Sequence, residues 1–227
     1  MSKLAKYLLL AFLLFLNGFV AFAQPSIGEW TDYQSYSSAK NVVDAGDKIY
    51  CVTSGGLFSY SKADNSILKM SGINGLSDSG VERLAYSTEK GILLIAYQNA
   101  NVDLLIGNQV FNVSDIKRKQ ISADKTINNV LFVGNLAYLS CGFGIVVINL
   151  DKKEIKETYF MGADGSYINV FDLATDGDFF YAATESGIYK ADAHDINLQD
   201  YNKWNQELSI PQATKKFSKI ENFNGRI

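Results

Sequence analysis

Short β-rich runs, separated by turn residues, recur along the chain. In the first stretch these runs cover residues 41–44, 48–53, 56–61 and 66–70. A later stretch has the same layout, with runs at residues 129–133, 136–141, 144–149 and 154–159. Such short runs between turn residues are typical of antiparallel hairpins. No stretch after residue 23 keeps an apolar period of 3.6 over the roughly ten residues that a globular helix needs. The pattern predicts an all-β protein.

The runs belong to a longer repeat of the form Gly-x-x-x-Tyr-x-x-Thr-x-x-Gly-hydrophobic-aromatic. It occurs at residues 46–58 and 177–189, and two degenerate copies lie between them. The four copies begin 45, 43 and 43 residues apart, at Gly46, Gly91, Gly134 and Gly177. A period of this size indicates a β-propeller blade. Residues 224–227 loosely resemble the opening of the first copy, so we expect four blades and the start of a fifth.

Propellers close with about four to eight blades, because a blade buries both of its faces only against its neighbours. Four blades and a partial fifth therefore predict an incomplete ring, which we take to be seven-bladed. The domain organisation that follows is a signal segment at residues 1–23 and the N-terminal part of a β-propeller at residues 24–227. An open stack of blades would expose an apolar face, so we expect residues 24–227 alone to be poorly soluble.

The second glycine of the repeat also keeps its phase. It is Gly56, Gly144 or Gly187 in three copies, ten residues after the first glycine, and Asn101 in the remaining copy. Glycine supplies the positive φ that tight hairpin turns require, and asparagine is one of the few other residues that tolerate it. We expect a left-handed backbone at all four positions.

The N-terminus has the three-part layout of a secretory signal peptide. Two lysines precede an apolar run at residues 7–16, and Ala21-Phe22-Ala23 is a small-x-small cleavage site. We predict cleavage between Ala23 and Gln24. The alternative is a retained membrane anchor, because residues 7–23 approach the shortest length that spans a bilayer. Export through the general secretory pathway follows from the first interpretation, with the periplasm or the outer-membrane surface as the destination.

Charge and cysteine usage exclude several classes of protein. Removing residues 1–23 leaves 19 basic and 24 acidic residues, which gives no basic surface for nucleic acid. The one basic cluster, residues 117–119, has acidic neighbours, and we interpret it as a solvated loop. The two cysteines, Cys51 and Cys141, fall in predicted strands of non-adjacent blades. We expect two buried thiols and no disulfide.

Candidate chemistry is sparse. The single histidine, His194, lies between Asp192 and Asp195, which we interpret as a polar connecting turn rather than a metal or acid-base site. Four acidic residues crowd the fourth copy without the close spacing of a calcium loop: Asp172, Asp176, Asp178 and Glu185. No nucleophile elbow, phosphate loop or dinucleotide fingerprint occurs. The sequence therefore assigns no catalytic, cofactor-binding or metal-ligating residue, and no cofactor.

The repeats at residues 48–61 and 179–192 resemble the two-component-regulator propeller repeat, with its Thr-x-x-Gly turn between two strands. Residues 30–76 follow closely behind the signal segment, and with Gly75-Leu76-Ser77-Asp78 they resemble the start of the PorZ family, surface proteins of the type IX secretion system of Bacteroidetes. This resemblance implies a second propeller and a C-terminal sandwich domain that carries the secretion signal. It supplies no binding motif to transfer onto residues of this chain.

The resemblance also implies a function. A PorZ-like protein would be a non-enzymatic scaffold of the cell-surface attachment complex, with a sortase-like partner and outer-membrane proteins. It would help cargo to receive its lipopolysaccharide anchor, with anionic lipopolysaccharide as a further partner. Two alternatives stay open. One is the sensor ectodomain of a hybrid two-component receptor that binds glycans, and the other is a propeller enzyme with acidic residues or histidines at its central channel.

Overall fold

The protein is described here by a computed structural model over residues 34–227, which form one compact unit. The predicted signal segment and the cleavage site between Ala23 and Gln24 lie outside the described residues. Within the described range the chain forms four antiparallel sheets of four strands each. In every sheet the strands follow one another in chain order, so each sheet is a blade of up-and-down strands. The prediction of an all-β protein with four propeller blades is confirmed.

The strand bounds follow the predicted runs closely. Blade 1 contains β1 Ala39–Asp44, β2 Lys48–Thr53, β3 Leu57–Ser61 and β4 Ile67–Met70. Blade 2 contains β5 Val81–Ser87, β6 Ile92–Tyr97, β7 Val102–Ile106 and β8 Gln109–Val113. Blade 3 contains β9 Ile127–Val133, β10 Leu136–Cys141, β11 Gly144–Asn149 and β12 Glu154–Tyr159. Blade 4 contains β13 Val170–Thr175, β14 Phe179–Thr184, β15 Gly187–Asp192 and β16 Asn205–Gln206.

Neighbouring blades pack face to face and bury three apolar clusters between them. Blades 2 and 3 share the largest cluster, in which Leu94 and Leu104 of blade 2 meet Leu139 and Ile148 of blade 3. Alternation along each strand gives every inner strand apolar side chains on both faces, one for each neighbouring blade. The first strands of successive blades also lie side by side: β1 beside β5, β5 beside β9, and β9 beside β13. We call this side of the molecule the inner edge, since it is where blades converge on a propeller axis.

The Thr-x-x-Gly motif closes the turn between the second and third strands of a blade. In blade 4 the Thr184 hydroxyl donates to the Gly187 carbonyl at 2.8 Å and accepts from the Ser186 N–H at 3.2 Å. In blade 1 the Thr53 hydroxyl accepts from the Gly56 N–H at 3.1 Å. The threonine therefore satisfies polar groups that a two-residue turn leaves without strand partners.

The prediction of a left-handed backbone at the second glycine holds in two of four blades. Gly144 and Gly187 have φ of 142° and 133°, but Gly56 and Asn101 do not adopt positive φ. In blade 2 the left-handed residue is Ala100, with φ of 62°, because the hairpin loop there has three residues, 98–100, whereas the loops of the other blades have two. At Gly56 the constraint is space: an added Cβ would lie 2.7 Å from Gln34 Oε1 and 3.0 Å from Tyr36 Cε1.

Residues 219–226 extend the repeat beyond blade 4. The Ile220 N–H donates to Asp172 of β13, and the Asn222 amide donates to the Thr175 carbonyl. Phe223 and Arg226 then form an isolated antiparallel bridge across a turn. The turn at residues 45–48 of blade 1 has the same backbone bond, from the N–H of its first residue to the carbonyl of its fourth. This segment therefore has the contacts expected for the first hairpin of a fifth blade, whereas closure into a seven-bladed ring stays a prediction.

Two smaller expectations have different outcomes. Cys51 and Cys141 are free and buried, as predicted, and burial raises the pKa of both thiols. The basic cluster at residues 117–119 is not a loop: its first two residues end the α-helix Asp115–Arg118, which we call α1. The Lys125 ammonium donates to three carbonyls at the end of this helix, those of Ile116, Lys117 and Lys119. A cation at this end satisfies carbonyls without helical partners.

Candidate functional site

One polar side chain per blade occupies the same position on the inner edge. Each first strand contains a β-bulge near its start, where its register against the second strand shifts. The residue after the bulge is Asn41, Arg83, Asn129 or Asp172, in blades 1 to 4 respectively. Bulges re-aim side chains locally. The fold therefore places four polar residues, 42 to 46 positions apart in sequence, at one level of the inner edge.

Two of these side chains accept a hydrogen bond from the backbone of the next repeat. Asn41 Oδ1 accepts from the Leu84 N–H at 2.7 Å, and Asp172 Oδ2 accepts from the Ile220 N–H at 3.1 Å. Asp172 is 1% exposed, and it also accepts from the Asn129 amide and pairs with Lys219 at 2.9 Å. These bonds join consecutive repeats at the inner edge, and we call them inner clasps.

Arg83 departs from this pattern. Its guanidinium offers donors only, so it cannot accept from a backbone N–H as Asn41 and Asp172 do. The Nε atom of Arg83 is shielded from solvent and has no hydrogen-bond partner among the described residues. The ion pairs within the described residues also leave Arg83 without a carboxylate. Blade 2 thus presents an unneutralised cation toward the inner edge.

A buried polar network holds the connector between blades 1 and 2. Asp103 of β7 is fully buried and accepts from the Tyr97 hydroxyl at 2.6 Å, the Ser77 N–H at 2.8 Å and the Asn112 amide at 2.8 Å. Burial is the largest cause that raises the pKa of Tyr97, and the hydrogen bond to Asp103 is the second. Three donors make the buried carboxylate tolerable in a region that excludes water. The network therefore anchors the connector segment that contains Ser77 rigidly to blade 2.

Asp78, the next residue of that connector, forms a second cluster. It accepts from Lys117 Nζ of α1 at 2.6 Å and from the Asn99 amide at 2.7 Å. The bond to Lys117 is the main cause that lowers the pKa of Asp78 to about 2, although partial burial opposes it. Asp78 therefore stays ionised at neutral pH and joins the connectors on both sides of blade 2. The Gly-Leu-Ser-Asp motif singled out in the sequence serves this anchoring.

Three aromatic rings gather beside a cavity next to blade 3. Phe160 and Tyr167 lie in the connector after blade 3, and their ring centroids are 5.5 Å apart; Phe143, in the β10–β11 turn, lies within 6.4 Å of both. Lys119 Nζ lies 5.6 Å from the centre of the Phe160 ring. The adjoining cavity of about 500 Å³ has an apolar floor that includes Ile116, and its rim carries Asp115, Lys119 and Glu154. Such a cavity can hold an amphipathic group.

The residues that the sequence offered for chemistry do not converge. His194 is exposed on a turn, where its backbone N–H donates to the Asp192 carboxylate at 2.8 Å, and Asp195 pairs with Lys203 at 2.9 Å. Asp176 and Asp178 lie on the β13–β14 turn, whereas Glu185 lies at the opposite end of the blade. Among residues 34–227, no group of three or more His, Cys, Asp or Glu side chains could hold a metal ion.

Sequence reasoning missed the Asp103 network and the shared inner-edge position, since it named Asp172 only as one of four acidic residues in the fourth copy. The inner-edge positions have a signal in the sequence, because they recur at the repeat period about five residues before each copy's opening glycine in blades 1, 3 and 4. Their chemistry varies from Asn to Arg to Asp, so a search for identical residues passes over them. The Asp103 network has no such signal, since its members come from four separate segments.

Comparisons with known proteins agree with this architecture. The family described as the N-terminal β-propeller domain of PorZ of the type IX secretion system matches residues 49–205. This chain belongs to the PorZ family. It is 32% identical to the structure of PorZ from Porphyromonas gingivalis, with a TM-score of 0.73, over 82% of this chain and 25% of that protein. The chain thus spans about a quarter of the length of that PorZ. A comparison with curated proteins finds no significant match.

Other solved propellers share the fold at lower identity. The extracellular domain of BT4673 from B. thetaiotaomicron, described as a hybrid two-component system, is 15% identical with a TM-score of 0.60, over 83% of this chain and 25% of that one. AztD from Citrobacter koseri is 13% identical with a TM-score of 0.52, over 79% of this chain and 48% of that one. At these identities the likeness concerns the blades alone. Within the described residues of this PorZ-family chain, no helix is long and apolar enough to cross a membrane.

Proposed function

We propose that this chain is the N-terminal propeller of a surface component of the type IX secretion system, where it acts as a non-enzymatic binding scaffold. The observation that carries the proposal is its 32% identity over 82% of the chain to the P. gingivalis PorZ, described as an essential bacterial surface component of that system. The scaffold would support the processing of secreted cargo and its anchoring to lipopolysaccharide in the attachment complex. Its partners would be a sortase-like protein, outer-membrane proteins and anionic lipopolysaccharide.

The described part of the molecule suits binding better than turnover. Its polar clusters around Asp103 and Asp78 have their donors and acceptors paired within the chain, and they fix the connectors rather than leave groups poised for proton transfer. The aromatic rings beside the cavity include Tyr167, which is 43% exposed. Exposed aromatic side chains on rigid connectors are typical anchors of protein interfaces. We therefore expect partners to contact the surface around Tyr167, beside the cavity next to blade 3.

A pulldown from native outer membranes tests the proposal. The tagged full-length protein is expected to recover secretion components, including a sortase-like protein. Tyr167→Ala should reduce this recovery, whereas Ile196→Ala, at a fully exposed position on another loop, should leave it unchanged. Recovery of a histidine kinase or of no secretion component would count against a scaffold of the attachment complex and in favour of a sensor ectodomain.

Export forms the second part of the proposal. The layout of residues 1–23 supports passage through the general secretory pathway and cleavage after Ala23. Mass spectrometry of the protein isolated from the periplasm or cell surface should find an N-terminal peptide that begins at Gln24. An intact N-terminus that starts at Met1 would instead support the retained membrane anchor.

A further inference from the structure

We propose that Arg83 binds an oxyanion, a phosphate or carboxylate group, on the inner edge at the junction of blades 2 and 3. The proposal rests on a comparison of the same position in successive repeats. At the junction of blades 1 and 2, Asn41 Oδ1 accepts from the N–H of Leu84. After blade 4, Asp172 Oδ2 accepts from the N–H of Ile220. In both cases a side-chain oxygen meets a backbone N–H of the next repeat.

The junction of blades 2 and 3 lacks that oxygen. The repeat places Arg83 where Asn41 and Asp172 stand, and it places the Val130 N–H where those of Leu84 and Ile220 stand. Both groups at this junction are donors, so neither can satisfy the other. The Nε–H of Arg83 is buried and has no hydrogen-bond partner among the described residues. A buried donor without an acceptor is rare in native proteins and points to a bound group that supplies one.

The chemistry of that group follows from the guanidinium. Its planar set of N–H donors matches the paired oxygens of a carboxylate or phosphate, and its charge persists at any physiological pH. No carboxylate of the described residues forms an ion pair with Arg83, so the protein itself does not occupy the guanidinium. Inner strands of a propeller line its central channel, which gives a ligand from solution a route to Arg83.

The position is half-buried, which separates it from ordinary surface cations. Lys117 and Arg118 are exposed and already pair with Asp78 and Asp115. Arg83 instead follows the bulge near the start of β5, between β1 and β9, where an ion pair would be less screened by solvent than at the surface. Anion affinity should therefore concentrate at Arg83.

Phosphate and acetate serve as probes in a thermal-shift and calorimetric titration of the full chain, against chloride at equal ionic strength. A ligand that binds only the folded state raises the melting temperature in a saturable way. We expect such a rise for the wild type, and a loss of affinity of at least about tenfold in Arg83→Asn. A response to phosphate alone assigns a phosphoryl ligand, and a response to acetate alone assigns a carboxylate.

Arg83→Asn is chosen because blades 1 and 3 carry Asn41 and Asn129 at this position, so the fold should accept it. Arg118→Asn removes the same charge from an exposed site and should keep the wild-type response. Arg83→Lys keeps the charge without the planar fork, should bind with intermediate affinity, and serves as the test if the Asn variant does not fold. Full anion affinity in either Arg83 variant would overturn the assignment. So would a wild type that no oxyanion stabilises beyond chloride, since a water molecule would then satisfy Arg83.

This site is independent of the secretion role. Its test measures a small anion, whereas the proposed function is tested by the proteins recovered from outer membranes. Loss of anion binding in Arg83→Asn with secretion components still recovered would support both proposals, and failure of one leaves the other standing.

Discussion

Gly187 shows how one residue supports a repeat for two reasons at once. Its φ of 133° is unfavourable for any side chain. The space beside it is also filled, because an added Cβ would collide with the Ala213 carbonyl and with the amide of Gln206. The Thr184 hydroxyl is bonded to the carbonyl of this same glycine. Thr184 and Gly187 are therefore kept together by a turn geometry that other residue types cannot adopt.

Gly187→Val should lower the free energy of unfolding by about 1–3 kcal/mol from backbone strain alone, and the collision with Ala213 adds to this. Chemical denaturation of the two proteins measures the change. Gly72→Val is the control, because Gly72 has no atoms within 4 Å of an added Cβ and does not adopt positive φ. Equal stability of wild type and Gly187→Val would show that the turn relaxes freely.

Asp78 gives stability that depends on pH. Its folded-state pKa of about 2 lies below its ordinary value of 3.8, mainly through the bond to Lys117. A lowered pKa contributes stability that is fully present above the unfolded pKa and is lost as the pH falls through the folded pKa. The side chain is 17% exposed, so solvent screens part of the effect.

Asp78→Asn should therefore destabilise the protein by about 1–2 kcal/mol at neutral pH. The difference from wild type should shrink as the pH falls from 3.8 toward 2, because wild-type Asp78 becomes increasingly protonated over this range. Thermal melts followed by circular dichroism across this pH range test the prediction, with Asp47→Asn on the exposed β1–β2 turn as the control. A difference that stays constant down to pH 2 would assign the loss to packing instead.

At the scale of elements, the first strands combine two tasks. Their apolar side chains fill the clusters between blades, and their bulges turn one polar residue toward the next repeat. Asn41 illustrates the second task, because it supplies the acceptor for the Leu84 N–H across a blade junction. The inner clasps thus join consecutive repeats at the inner edge.

Asn41→Ala should cost about 1–3 kcal/mol, because it leaves the Leu84 N–H without its acceptor. Hydrogen exchange of the Leu84 amide should accelerate in this variant more than that of amides in blade 4, which distinguishes a loosened junction from global destabilisation. Asn108→Ala, on the exposed β7–β8 turn, is the matched control. Unchanged exchange at Leu84 would mean that the clasp contributes little to the junction.

At the scale of the whole molecule, blade 1 has one face packed on blade 2 and one face without a neighbouring blade among the described residues. Val42 pairs across the sheet with Cys51, and Ile67 pairs with Tyr60. This register places Val42 and Ile67 on the second face, where they are 57% and 64% exposed. Residues 34–38 cross part of it, since Tyr36 contacts Phe58. An apolar sheet face of this kind favours association.

Residues 24–227 alone should therefore associate in solution, and the double variant Val42→Lys with Ile67→Lys should reduce this association without a large loss of stability. Size-exclusion chromatography with light scattering measures the mass of each. Ile196→Lys is the control, because Ile196 is fully exposed outside this face. A monodisperse wild-type monomer with a sharp, reversible thermal transition would contradict the prediction.

Much of the fold could be predicted from the sequence, because the strands and turns of each repeat are specified by residues close together in the chain. Short runs rich in β-branched and aromatic residues specify strands, and glycine, asparagine and threonine specify turns, so the strand bounds of blades 1 and 3 agreed to within two residues. The left-handed residue of blade 2 could not be placed in this way. Ala100 holds that position because the blade 2 hairpin has a three-residue loop, the last residue of which is commonly left-handed.

The sequence by itself determined the all-β class, the blade period and the position of the buried cysteines, since strand and turn signals are local and the same signals recur from one copy to the next. Only the tertiary structure decided which polar residues meet. Asn41, Arg83, Asn129 and Asp172 lie more than 40 positions apart and align because bulges and blade packing bring them to one edge. Only the tertiary structure shows that Arg83 Nε lacks an acceptor, because this depends on which groups the fold brings near it.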